Sequence, residues 1–88
     1  METPLFHHRD GDMYILLTNM RFIKLENHMI VNELFLANMR SVAHVGGGML
    51  HWDKVKIVES TKVQMVGIRR KRTCLGFINL LRQLTNLG

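Results

Sequence analysis

Short apolar runs separated by turn residues extend along the chain as far as Ile68. Asp10 and Gly11 lie between the first two runs, and an Asp-Gly pair readily takes the positive φ angles of a tight hairpin. Asn27 and His28 interrupt the pattern again. The pattern predicts seven strands: Leu5 to Arg9, Met13 to Thr18, Arg21 to Glu26, Ile30 to Leu36, Arg40 to Val45, a strand containing Val55 and Ile57, and Lys62 to Ile68.

The apolar residues change parity in the middle of the sixth run. Leu50 and Trp52 occupy one parity, whereas Val55 and Ile57 occupy the other. Since side chains alternate between the two faces of a strand, we expect a β-bulge or a bend near Asp53.

The last segment has a helical period. Apolar residues recur there at steps of three and four, and polar residues lie between them. The predicted buried face comprises Cys74, Phe77, Ile78, Leu81 and Leu84. Burial of the four larger side chains, those of Phe77, Ile78, Leu81 and Leu84, contributes on the order of 6 to 12 kcal/mol to folding before conformational entropy is subtracted. The segment is therefore expected to cover a sheet.

The ends of this helix are marked by capping residues. Thr73 can cap the first amides, and Asn86 or Gly88 can end the helix, which places it from Thr73 to Thr85. Gly76 weakens a helix by about 1 kcal/mol relative to alanine. We expect its backbone to approach the sheet closely.

Composition limits the class of protein. Eighty-eight residues suit one domain spanning 1–88, and a net charge of +5 favours anionic partners. Cys74 is the single cysteine, which excludes an internal disulfide and favours a reducing compartment. No apolar run approaches the ~20 residues that cross a bilayer, and Met1 to Pro4 lack the features of a signal peptide. We predict a cytoplasmic protein, with peripheral attachment to a membrane left open.

Three segments resemble PH-like domains of the GRAM and bacterial PH type. Tyr14 to Glu26 (YILLTNMRFIKLE) is similar to their hairpin of a strand, Thr-Asn-x-Arg and a second strand. Leu34 to Val42 (LFLANMRSV) and Phe77 to Arg82 (FINLLR) look like a later strand step and the closing helix. Similar modules occur within very large proteins, including chorein-type lipid-transfer proteins. The resemblance implies a mainly β fold: a seven-stranded bent sheet or open barrel capped by one C-terminal helix.

The resemblance also implies a ligand-binding end formed by three loops, at the end of the barrel away from the helix. In phosphoinositide-binding members, the loop between strands one and two carries several basic residues. Here that region offers His7, His8 and Arg9 as candidate ligand residues, followed by Asp10 and Asp12. One arginine beside two carboxylates is a poor phosphate clamp, so the expected partner shifts towards a protein or a general acidic surface.

The densest charge in the chain is Arg69-Arg70-Lys71-Arg72, directly before the predicted helix. Helix amides add positive potential there, so an acidic lipid headgroup or phosphopeptide could dock. The alternative, which we favour, is a solvated loop. Lys62 is a further candidate for anion binding.

Histidine and tryptophan have both structural and functional interpretations. Adjacent His7 and His8 point to opposite faces of a strand, so they make a poor chelating pair, and we predict surface histidines and no metal or cofactor. Trp52 could anchor a membrane or a peptide, but we expect it to be packed in the core. Ser41, Ser60 and Cys74 carry no recognisable catalytic signature, so no enzyme is predicted.

Three hypotheses for function remain. The leading one is a PH-like adaptor domain in a larger intracellular protein, which recruits that protein to an acidic phospholipid surface or to a protein partner. The second is a protein-interaction domain that takes up a peptide along a strand edge or in a groove beside the helix. The third, ranked lower, is a basic nucleic-acid-binding domain, because the interleaved aromatics of a single-strand binder are lacking. The oligomeric state is left open.

Overall fold

The computed structural model describes residues 1–48, 52–60 and 62–87. By their contacts the residues form two compact units, Met1–Asn38 and Met39–Gly88. The first unit is an antiparallel sheet of four strands in sequence order, followed by a single 3-10 turn. Its elements are β1 (Pro4–Asp10), β2 (Met13–Thr18), β3 (Arg21–Glu26), β4 (Met29–Phe35) and the turn Leu36–Asn38.

Tight turns connect the strands of the first unit. Gly11 has a φ of 63° in the two-residue loop between β1 and β2, a conformation that glycine adopts without strain. Asn27 and His28 have φ values of 51° and 66° between β3 and β4. Two consecutive positive φ values are typical of the hairpin turn whose twist matches that of the strands. The polar interruptions in the sequence are therefore the hairpin turns.

The Thr-Asn-x-Arg segment is a hydrogen-bonded turn between β2 and β3. The Thr18 hydroxyl is buried, donates to Glu2 Oε2 at 2.7 Å, and accepts from the backbone amides of Met20 and Arg21, each at 3.0 Å. The turn thus depends on one side-chain oxygen for two backbone amides. Such amides are costly to bury without an acceptor.

The same turn holds the N-terminal residues. The Asn19 side chain accepts from the Thr3 amide at 2.6 Å and donates to the Met1 carbonyl at 3.1 Å. Arg21 pairs with Glu2 at 2.8 Å and with Glu33 at 2.7 Å. Its hydrogen bond lowers the pKa of the Glu2 carboxyl, and the Thr18 hydroxyl adds to that effect.

The second unit is a three-stranded antiparallel sheet covered on one face by a helix. Its elements are β5 (Met39–Val45), β6 (Asp53–Glu59), β7 (Lys62–Ile68) and α1 (Lys71–Thr85), and α1 packs against all three strands. The sheet buries Val42, Val55, Ile57, Val66 and Ile68, and the helix buries Cys74, Phe77, Ile78 and Leu81. The predicted helix face is confirmed except for Leu84, which is half-buried.

Polar contacts support this packing at two points. The Arg82 guanidinium donates to the Val42 carbonyl from Nε at 3.3 Å and from Nη2 at 3.2 Å. Asp53 accepts from the Gly47 amide at 2.9 Å, and its other oxygen lies 2.9 Å from His44 Nε2. The Gly47 amide and then His44 lower the pKa of the Asp53 carboxyl.

The fold prediction holds in its coarse form: a mainly β chain with one C-terminal helix. The strands form two sheets, of four and three strands, rather than one closed barrel. The PH-like barrel and the single domain over 1–88 stay predictions. The described helix is not long and apolar enough to cross a bilayer.

Two local predictions are wrong: the Thr73 cap and the close approach of Gly76 to the sheet. The predicted bulge or bend near Asp53 stays a prediction, because β6 begins at Asp53 with a continuous register to β7 and residues 49–51 lie outside the described residues. The helix begins two residues before Thr73, with Arg70 as N-cap and no side-chain cap hydrogen bond. Gly76 lies on the exposed side of α1, where an added Cβ would meet no atom within 4 Å. The end of the helix at Asn86, with a left-handed φ of 58°, is as predicted, and Gly88 lies outside the described residues.

Candidate functional site

The basic cluster, Arg69 to Arg72, lies where β7 passes into α1. Arg69 and Arg70 form the bend, and Lys71 and Arg72 are the first two residues of the helix. All four side chains are exposed, and within the described part of the chain none forms an ion pair. The first helical turn contains no acidic residue and has no side-chain cap. Four cations therefore lie at the positive end of the helix dipole, and among the described residues Asp53 is the one nearby anion, whose charge acts on Lys71 without forming an ion pair.

A shallow open groove continues from the cluster along the exposed side of the helix. It is lined by Lys71, Arg72, Leu75, Gly76 and Asn79. Gly76 leaves the floor of this groove without a side chain. The groove thus places an exposed leucine next to two cations.

Trp52 is not part of the core, contrary to expectation. Its side chain is 46% exposed, and it precedes β6 rather than lying within it. Gly67 of β7 has no side chain, and ring atom Cε3 of Trp52 lies 3.5 Å from the position a Cβ would take there. The indole therefore rests on the sheet surface. Since β6 pairs Asp53 with Ile68, Trp52 lies at the same end of the β6–β7 hairpin as the basic cluster.

The sheet face opposite α1, which we term the open face, carries apolar and basic side chains. Val63 and Met65 of β7 are 56% and 39% exposed. In the register, Met65 pairs with Lys56, and Gly67, beneath Trp52, pairs with Lys54. Both lysines are exposed. The open face is thus an apolar stripe along β7 beside a lysine stripe along β6.

Lys62 lies apart from the basic cluster. It starts β7 and pairs with Glu59, whereas the cluster follows the other end of that strand. The structure does not bring Lys62 together with Arg69 to Arg72.

The first-loop candidates divide between two faces of β1. His7 is exposed and stacks on Tyr14, with ring centroids 6.0 Å apart, while His8 is half-buried on the opposite face. Arg9 and Tyr14 line a small cavity of about 130 Å³ with Asp12, Leu25 and His28. The Asp12 carboxylate shares that cavity with Arg9, which makes it a poor site for a phosphate.

Two polar atoms on the other face of β1 are buried without a hydrogen-bond partner. They are His8 Nε2 and Asp10 Oδ2, two residues apart on one strand. His8 pairs with Ile15, and Asp10 pairs with Met13. Buried polar atoms of this kind usually bind water or a neighbouring group. The resemblance implies that His8 belongs to the ligand loop, and the sequence pattern gives no sign of this burial.

The residues considered for catalysis are not brought together. Ser41 is exposed on β5, Ser60 has a φ of 46° in the turn after β6, and Cys74 is fully buried in α1. Burial raises the pKa of the Cys74 thiol, and the negative charge of Asp53 adds to the shift. The thiolate is therefore disfavoured. Over residues 1–48, 52–60 and 62–87, no three His, Cys, Asp or Glu side chains converge as metal ligands.

The open face is the feature that sequence analysis missed. Its signal is present in the alternation Lys54-Val55-Lys56-Ile57, which predicts a buried face and a basic face on β6. Val63 and Met65 continue that alternation on β7. The sequence predicts both segments as strands, but it does not show that Val63, Met65, Lys54 and Lys56 share one face of a sheet.

Comparisons with models of protein families, with curated proteins and with solved structures give no match to this chain.

Proposed function

We propose that this chain is a non-catalytic binding module that attaches a larger intracellular protein to an anionic phospholipid surface. The observation that carries the proposal is the basic cluster, which is exposed and unpaired among the described residues. A cluster of cations at an uncapped helix start attracts phosphate oxygens both by charge and by the free amides of the first turn.

Seven strands followed by a C-terminal helix support the proposal that the module is a PH-like domain. The resemblance of Tyr14 to Glu26, Leu34 to Val42 and Phe77 to Arg82 to such domains implies the same. On this proposal the two sheets belong to one bent sheet or open barrel. The ligand surface would differ from that of the phosphoinositide-binding members, because the one arginine of the first loop shares its cavity with Asp12.

Vesicle co-sedimentation tests the proposed function. Wild type is compared on vesicles of phosphatidylcholine alone and of phosphatidylcholine mixed with phosphatidylserine, at low and high salt. We expect salt-sensitive binding to the anionic vesicles only. Arg72→Gln should weaken binding about fivefold, because each basic residue near an anionic surface contributes about 1 kcal/mol.

Arg9→Gln is the matched control, since it removes an exposed arginine from the first unit. Its affinity should equal that of wild type. Equal sedimentation with neutral and anionic vesicles would refute the proposal. If Arg9→Gln weakened vesicle binding more than Arg72→Gln does, the binding site would be the first loop instead of the basic cluster.

A second candidate function is the recognition of a protein strand along β4. Strand β4 is an outer strand of the four-stranded sheet, and it begins with three consecutive exposed apolar residues, Met29, Ile30 and Val31. An edge of this kind can pair with an added strand. A partner captured at high salt by wild type and Arg72→Gln, but not by Ile30→Lys, would favour this function.

A further inference from the structure

The open face combines the two properties of an interfacial membrane surface. Trp52, Val63 and Met65 supply an exposed apolar stripe. Lys54 and Lys56 lie on the neighbouring strand, and Lys56 is directly opposite Met65. Side chains directly opposite each other in a ladder have Cβ atoms about 5 Å apart. Met65 therefore has a cation directly opposite, whereas Val63, which is opposite Val58, is diagonal to Lys56.

The charge on this face has one sign. Its described positions, in β5, β6 and β7, include no aspartate or glutamate: they are Ser41, Ala43, Val45, Lys54, Lys56, Val58, Val63, Met65 and Gly67. Arg69 follows β7 at the end where Trp52 lies, so the open face is continuous with the basic cluster. Positive charge thus extends along the lysine stripe and into the start of the helix.

The composition favours lipid over a protein as the occupant. Lysine is depleted at the centres of protein interfaces, because its ammonium group is strongly hydrated. At a bilayer surface, in contrast, the lysine stem lies against apolar groups while the ammonium remains among the phosphates. Tryptophan is enriched at that same depth, since its ring is apolar and its N–H needs a polar partner.

Building on the membrane attachment proposed above, we propose that the open face lies flat against an anionic bilayer. Trp52, Met65 and Val63 enter the interfacial layer, and Lys54 and Lys56 contact lipid phosphates. The basic cluster contacts headgroups at the edge of this surface. The contact surface is thus a sheet face, and the loops between strands are not its centre.

Trp52 is the single tryptophan of the chain, so its fluorescence reports this contact directly. Wild-type protein is bound to phosphatidylcholine–phosphatidylserine vesicles whose acyl chains are brominated near the carbonyl end. We expect the emission to shift to the blue and to be quenched relative to unbrominated vesicles. Sedimentation of the same samples measures binding independently.

A matched pair of methionine variants tests the apolar stripe. Met65→Ser should weaken vesicle binding about three- to tenfold, because the exposed part of that side chain loses its apolar contact. Met29→Ser removes an even more exposed methionine from the first unit, so it should bind as wild type does. Circular dichroism verifies that both variants fold. The fluorescence quenching experiment uses only wild-type protein, so it does not depend on the folding of a variant.

The outcomes separate the two proposals. Sedimentation with unchanged Trp52 emission would overturn the open face as the contact while leaving membrane attachment intact, and a protein would then be its expected occupant. No sedimentation with anionic vesicles would overturn both. Equal weakening by Met65→Ser and Met29→Ser would show general hydrophobic adsorption, which also overturns the open face as a specific contact.

Discussion

Gly76→Ala should stabilise the second unit. Gly76 is the sixth residue of α1 and lies on the exposed side of the helix. A methyl group added there meets no atom within 4 Å, and the residue does not have a positive φ. The substitution therefore adds no clash and no backbone strain. Its main effect is on the unfolded chain, which loses conformational freedom when glycine becomes alanine.

The magnitude follows from helix propensity. Glycine in a helix interior is about 0.8–1.0 kcal/mol less favourable than alanine. With no packing change to offset that difference, the free energy of unfolding should rise by about 1 kcal/mol. For a domain of this size, such a change raises the midpoint of thermal unfolding by about 4–8 °C.

Urea unfolding followed by Trp52 fluorescence and by helical circular dichroism provides the measurement, because both signals come from the second unit. Gly11→Ala is the control, and because Gly11 lies in the first unit its unfolding is followed by the near-ultraviolet signal of Tyr14 in β2. An added Cβ at Gly11 also meets no atom within 4 Å, but the φ of 63° strains any side chain. That variant should lose about 1 kcal/mol. A destabilised Gly76→Ala would refute the reasoning, since it would mean that the backbone does approach the sheet there.

Three further substitutions test other contacts. Thr18→Val should cost about 1–3 kcal/mol in urea unfolding, because two backbone amides lose their acceptor, whereas Thr18→Ser should retain most of the stability. Asp53→Asn should make the free energy of unfolding fall less steeply as pH is lowered. The pKa of Asp53 is lowered in the folded state, so the carboxylate stabilises the fold above about pH 4, and this stabilisation is lost as pH falls through the folded-state pKa. An unchanged pH dependence would contradict this assignment. Arg70→Ser should raise the helix stability by about 0.5–2 kcal/mol by supplying the missing cap, while lowering vesicle affinity about fivefold.

The strands were predictable because their signals are local. Alternating side chains and turn residues such as Asn27 and His28 depend on a few neighbouring positions. The buried helix face was likewise evident from the spacing of Phe77, Ile78 and Leu81. In each case one short segment carries the whole physical argument, so no knowledge of distant residues is needed.

The candidate site was less predictable because its properties depend on residues distant in sequence. Trp52 lies on the open face, where its ring rests on Gly67, fifteen positions later in the chain. Gly76, in contrast, lies nearly opposite the buried face of α1 at 3.6 residues per turn, so the helical period alone already indicates that it is exposed. The Thr-Asn-x-Arg segment was recognised as a pattern, but its partners Glu2 and Thr3 lie well before it.

The start of α1 lacks features that usually stabilise the first turn of a helix. A helix of fifteen residues begins with Arg70 at the N-cap, no side-chain cap and no acidic residue in its first turn. The basic residues oppose the helix dipole, and the missing side-chain cap leaves the first amides without that acceptor. One serine or aspartate would relieve part of this cost, as Arg70→Ser is expected to show. On the proposed function, the same cations and free amides would contact an anionic surface. Lipid phosphates would then supply negative charge at the helix start, so vesicle binding would raise the stability of the helix.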